Sequence, residues 1–224
     1  MASCKPSDYF ESDAQIIAQF IDKEDISIIS SKINKLNINM QGKDGLTFIF
    51  YAFLNRKKQS FKWLVENGAD VDLAWLIRDQ KSTHLINQAV KLEDSYYFDL
   101  LLKVAMLNAT DEDGSQATHN AIMTSQFGRL KSLLDAGADI NGKNRNGDTP
   151  LLLLLKLSNY DDAYQILKRG ADLKVADKMG NTVAYIIQDD KLPPTSESYS
   201  WWKKIKDELI KQGVKFPVKK EPRH

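Results

Sequence analysis

The stretch Gly137-Ala138-Asp139-Ile140-Asn141, followed by Gly147-Asp148-Thr149-Pro150-Leu151-Leu152, decides the fold, because both halves of it recur. Gly-Ala-Asp returns 33 residues later as Gly170-Ala171-Asp172-Leu173, and it stands 69 residues earlier as Gly68-Ala69-Asp70-Val71-Asp72. The second half has relatives at Gly45-Leu46-Thr47-Phe48 and Gly180-Asn181-Thr182-Val183. Weaker copies lie at Ser82-Thr83-His84-Leu85 and Gly114-Ser115-Gln116-Ala117-Thr118-His119. Counted at the Thr slot, the copies fall at 47, 83, 116, 149 and 182, at intervals of 36, 33, 33 and 33. Val104-Ala105-Met106 then fills the missing Gly-Ala-Asp slot. A period of this size marks a stack of supersecondary units.

Each unit carries its own helix signal. Seven, four and three residues before each Gly slot stand Phe61, Leu64 and Val65; Tyr97, Leu100 and Leu101; Leu130, Leu133 and Leu134; and Ala163, Ile166 and Leu167. That spacing places them on one helical face. Gly68, Gly137 and Gly170 are placed to end their helices in a left-handed conformation. A single helix pair cannot bury its apolar face, so the units must stack into one core. The run Leu151–Leu155 reads as a buried inner helix.

These motifs resemble the ankyrin repeat, whose pattern carries Asp-x-x-Gly-x-Thr-Pro-Leu-His-x-Ala and a leucine pair before Gly-Ala-Asp-Val-Asn. Residues 146–154 and 130–141 match it best, although only one copy keeps Thr-Pro and only His119 fills the His slot. The resemblance implies an all-α solenoid of about five helix pairs over residues 12–190. It also implies Thr hydroxyls capping helices, and a His119 ring bonded to the backbone of the next loop. Partners of such stacks meet loop tips and inner helices on the concave side. In that register the tips are Lys43-Asp44, Asp79-Gln80, Glu112-Asp113, Arg145-Asn146 and Lys178-Met179.

The ends need closing. Residues 12–38 read as a degenerate first repeat, with Ile16, Ile17, Phe20 and Ile21 on one helix and a second helix around Ile26–Ile33. After Pro193-Pro194, Trp201, Ile205 and Leu209 recur at helical spacing with Trp202 beside them, so residues 191–212 are expected to hold a linker and a capping helix. Residues 1–11 read as a polar tether, and residues 213–224 as a basic tail expected to fray. The one long interval puts three extra residues between Asp72 and Ser82, a loop bearing Leu73, Trp75, Leu76, Ile77 and Arg78. Such a loop either folds back or offers Trp75 and Arg78 to a partner, and both readings stay open here.

Composition narrows the function. The 224 residues hold 31 basic and 30 acidic side chains, of which 9 and 4 fall in residues 191–224. A body that is net acidic excludes nucleic-acid binding driven by bulk charge. Mixed-sign tips favour a protein partner. One cysteine and three histidines give little for a metal site. No nucleophile elbow, phosphate-cradling loop or His-Glu-x-x-His is present, so neither catalysis nor a cofactor is expected. The pairs Asp161-Asp162 and Asp189-Asp190 read as structural, as does His84 at a helix start.

Ala2-Ser3-Cys4 resembles the end of a bacterial lipobox, with Met1 added where a signal peptide was removed. That resemblance implies lipidation at Cys4 and a periplasmic body on a membrane anchor; with Met1 as the native start, the chain would be cytoplasmic. A periplasmic ankyrin lipoprotein, monomeric when free, looks like the immunity proteins that neutralise toxins delivered by type VI secretion, phospholipases among them. The expectation is a protein that occludes a cognate toxin's active site, with these tips, Trp75 and Arg78 as binding residues. A cytosolic scaffold, a host-directed effector and a periplasmic helper are the alternatives.

Overall fold

The computed structural model describes residues 5–33, 36–77 and 81–222. It divides into two compact units, Met1–Glu112 and Asp113–His224, each of which is described by itself. The first holds α1 (Pro6–Tyr9), α2 (Ser12–Lys23), α3 (Ile26–Ile33), α4 (Phe48–Leu54), α5 (Lys58–Glu66), β1 (Trp75–Ile77), β2 (Lys81–Thr83), α6 (Leu85–Ala89) and α7 (Tyr96–Leu101). The second holds α8 (Ala117–Met123), α9 (Phe127–Asp135), α10 (Pro150–Lys156), α11 (Tyr160–Lys168), α12 (Val183–Asp189) and α13 (Tyr199–Lys211). Consecutive helices pack in pairs, and within each unit the pairs stack: α2 on α4, α3 on α5, α5 on α7, and α10 between α8 and α12.

Local chemistry explains the punctuation. The Thr47, Thr149 and Thr182 hydroxyls accept from the amides of Phe50, Leu152 and Tyr185, each satisfying an otherwise orphaned helix-start donor. Gly137 and Gly170 both sit at φ 94°, beyond the ends of α9 and α11, where a side chain would strain the backbone. The turns inside the pairs follow a rule the sequence does not advertise. Glu24, Arg56, Ser125 and Ser158 hold φ between 53° and 59° there, with no glycine to flag it.

Successive repeats are tied by the last residue of the Gly-Ala-Asp-x-Asn motif. Asn39 Oδ1 accepts from the Asp70 amide at 2.7 Å, Asp72 Oδ1 from Met106 at 2.7 Å, and Asn141 Oδ1 from Asp172 at 2.9 Å. The Met106 bond places Val104-Ala105-Met106 in the Gly-Ala-Asp slot structurally. Asp70, Asp139 and Asp172 themselves accept from the amide two residues on, closing the turn.

Several expectations are corrected by packing. Of the three apolar positions before each slot, the third is only half-buried at Val65 and Leu134, as is Leu100; helices this short bury a narrow stripe and leave its rim exposed. In α2 the buried face is Ala14, Ile17, Ala18 and Ile21, while Ile16 is 38% exposed. Within the expected tether, residues 5–11 pack on the body: α1 forms there, and Phe10 is buried and stacks on Phe48 at 5.0 Å. In α13 it is Trp202, not Trp201, that lies buried with Ile205 and Leu209, its indole N–H donating to the Ile187 carbonyl. Trp201 packs against Tyr164 instead, with Lys204 Nζ 3.8 Å from its ring centroid.

The tail also departs from expectation. Residues 214–222 run back to α12 and the loop before it, joined through Gln188 and Gly180. The leucine run behaves as its composition demands: Leu151 to Leu155 are all buried in α10.

Candidate functional site

Exposed loop tips are built by glycine. Gly114 and Gly147 sit at φ 65° and 80°, so the backbone reverses sharply, and the next tip approaches where a Cβ would be. The Arg145 amide donates to the Asp113 carbonyl at 3.0 Å, and the Lys178 amide donates to the Asn146 carbonyl at 2.9 Å. Asp113, Arg145, Asn146 and Lys178 are thereby brought into one backbone-bonded row in the second unit, with their side chains exposed. Arg145 and Asp113 approach to 3.8 Å, but with side chains 67% and 72% exposed the pair contributes little to stability.

In the first unit Lys43 and Asp44 are exposed on a 3₁₀ turn, with Asp44 at φ 59°. Glu112 is half-buried. The extra loop is a small antiparallel hairpin, with Trp75 opposite Thr83 and Ile77 opposite Lys81. Trp75 is half-buried against Phe50, with ring centroids 5.5 Å apart, and its Nε1 finds no acceptor among the described residues. Leu76, on the opposite face of the strand, is 43% exposed. Arg78, Asp79 and Gln80 lie outside the described residues, and so does Cys4.

His119, His84, Asp162 and Asp190, set aside as structural, have structural partners. His119 is fully buried; its Nδ1 accepts from the Gln116 amide, so Nε2 carries the proton it donates to the Asp148 carbonyl at 2.9 Å. His84 plays a similar part, with Nδ1 3.1 Å from the Thr110 carbonyl. Asp161 and Asp162 open α11, and Asp190 accepts from the Tyr160 hydroxyl at 2.8 Å. Burial, and then the Asp190 bond, push the Tyr160 phenol up to about 12. Among the described residues no group of three His, Cys, Asp or Glu side chains could hold a metal ion.

One cluster escaped sequence reasoning. Lys156, the last residue of α10, bridges the carboxylates of Asp148 and Asp177, the latter at 2.6 Å. Both acids are almost fully buried, and the lysine is about one-third exposed. Burial pushes the Asp177 carboxyl up, but the Lys156 ammonium and the Asn181 amide outweigh it and hold it below the usual carboxylate range. For Lys156 burial lowers the pKa and the two carboxylates more than restore it, so it ends above its ordinary value. The triad ties consecutive loops and presents one ammonium edge to solvent. Its only sequence signal is a lysine terminating an all-leucine run, eight residues after the Asp that precedes the helix cap.

A groove of about 410 Å³ between α9 and α11 is lined by Phe127, Leu130, Leu134 and Ile166. Its cations Lys131 and Arg169 are both held by Asp135 at 2.8 Å, and Asp162 also lines it.

Stacked helix pairs, tip turns and inter-repeat ties together define an ankyrin-repeat solenoid, a class of scaffold that mediates protein–protein binding. Comparisons agree on the fold. An ankyrin repeat domain from Acinetobacter baumannii superposes with a TM-score of 0.68, at 24% identity, covering 89% of this chain and 98% of that one. No protein-family profile matches the chain. The human SH3 and multiple ankyrin repeat domains protein 2 is 30% identical over 159 residues, 70% of this chain and 8% of that protein. Protein PhlB of Serratia liquefaciens is 30% identical over 144 residues, 63% of this chain and 62% of its own length. The chain thus spans less than two-thirds of either relative.

Proposed function

We propose that the chain is a stoichiometric protein-binding module that neutralises a cognate antibacterial toxin by occluding its active site, with a phospholipase as the candidate class. The observation that carries the binding reading is the row of exposed, mixed-sign tips at Asp113, Arg145 and Lys178, held by backbone bonds before any partner arrives. Pre-ordered contact groups spare the entropy that flexible loops lose on association. Likeness to the Serratia protein PhlB supports a bacterial setting. Ala2-Ser3-Cys4 supports a lipid anchor and a periplasmic body.

The experiment is calorimetric titration of the full chain against the product of the gene beside its own. One-to-one binding with loss of that product's toxicity is expected. A joint Asp113→Ala, Arg145→Ala, Lys178→Ala variant should bind at least tenfold more weakly with unchanged helicity. Absence of binding, or a triple variant that binds as tightly, overturns the reading. Mass spectrometry of Cys4 in membrane-extracted protein, expressed with its native leader, tests the anchor separately, and an unmodified thiol removes it.

A further inference from the structure

In the second unit each tip is completed by the one after it, and the last tip is completed by the chain itself. The Asp113 carbonyl takes the Arg145 amide and the Asn146 carbonyl takes the Lys178 amide. After the 177–181 loop the described residues hold the last pair, α12 and α13, and no further tip. The place is filled by the segment after α13, whose Glu221 amide donates to the Gly180 carbonyl at 3.0 Å.

Gly180 is suited to that approach. It holds φ 78°, and a methyl group on it would overlap the Glu221 carbonyl oxygen. Gly147 faces the backbone of Lys178 in the same way, with Cβ space ending 3.0 Å from that nitrogen. Three residues before Glu221, Val218 is read by one side-chain amide. Its N–H donates to Gln188 Oε1 at 2.6 Å, and Gln188 Nε2 donates back to its carbonyl at 3.1 Å. Between these points Lys220 Nζ lies 5.4 Å from the centroid of the Tyr185 ring.

We propose that Gly180, Tyr185 and Gln188 form a docking site for an extended basic peptide, and that residues 218–221 are its resident, displaceable occupant. The means of attachment support displacement. Val218 is half-buried and residues 219–221 are exposed, so backbone bonds and one cation over a ring hold the segment rather than a buried anchor. Recognition through main-chain groups is how an open backbone edge takes an extended partner. A competing peptide needs amides three residues apart and a Lys or Arg before the second. The site lies wholly in the second unit and uses none of the tips assigned to toxin binding, so the two readings fail separately.

Val218→Pro with Glu221→Pro removes both donated N–H groups from the occupant and leaves the acceptor side chains in place. A fluorescein-labelled peptide of residues 214–222 is titrated by anisotropy into the native and doubly substituted full chains. Binding to the substituted chain should be saturable and at least tenfold tighter than to the native one. Adding Gln188→Ala should weaken it at least tenfold, at unchanged helicity by circular dichroism. Equal binding to both chains, no binding to either, or indifference to Gln188→Ala overturns the proposal. Hydrogen exchange on the native chain gives a second reading: the Val218 and Glu221 amides should be slower than that of Lys219, and equal rates overturn the docked geometry.

Discussion

In the second unit, Thr149 and Thr182 cap their helices through the hydroxyl, Gly137 and Gly170 end theirs, and an all-leucine helix fills the middle. Among the described residues of the first unit only Thr47 caps in this way, and Gly68 ends α5 at φ 84°, but α6 starts at His84 without a side-chain cap bond and α7 ends at Leu102 in a right-handed conformation with no glycine. That unit has aromatic packing instead. Tyr97 meets Phe61 edge-on at 4.9 Å and Phe53 at 5.2 Å, and Phe10 bridges Phe48 and Tyr51. Consensus turn chemistry and large interlocking rings are alternative ways of holding one repeat. Where the motif residues are lost, side-chain volume takes over.

The comparison breaks most readily at Lys156. Lys156→Met should cost about 3 kcal/mol by stranding two buried carboxylates, the lysine's partial exposure keeping it at the low end for broken pairs. Thermal melts should fall by about 6–12 °C. Because Asp177 is held below the usual range, its contribution is present above the unfolded carboxylate value near 3.8 and is lost as the pH falls through the folded one. The stranded acids in the variant gain from protonation. Its deficit should therefore narrow below about pH 4, and a deficit independent of pH would show that the triad is not electrostatic.

Thr149→Ala should cost about 1 kcal/mol, the ordinary value of a lost N-cap. A melt unchanged within error would mean that Pro150 and the buried leucines set the start of α10 by themselves.

The smallest effect sharpens the comparison from the aromatic side. The Tyr97 hydroxyl is buried with no hydrogen-bond partner among the described residues, so Tyr97→Phe should leave stability at pH 7 unchanged or slightly raised. Burial pushes that phenol up to about 12, so its contribution is intact below the unfolded value of 10 and is lost as the pH climbs from there. The variant should lose less stability than the native chain between pH 10 and 12. A native chain no more alkali-sensitive than the variant would place the ring in water.

The repeat, its helices and their ends were legible in the sequence because they are local. A Thr three residues before the amide it caps, or a Gly at a left-handed turn, needs no knowledge of the rest of the chain. His119 was legible too, since the family slot states its partner. Trp75 was not: whether an inserted Trp faces solvent or Phe50 depends on a ring 25 positions away. Nor could periodicity show that Phe10 joins the core, that Trp202 rather than Trp201 turns inward, or that residues 214–222 fold back onto Gly180 and Gln188. Nothing in the charge pattern singled out Asp148, Lys156 and Asp177 as a cluster. Their meeting required two loops 29 residues apart to be brought beside one helix end. Sequence periodicity determined the stack, because spacing alone fixes which face is apolar; tertiary structure decided the exceptions, because burial and pairing depend on what each side chain meets across the fold.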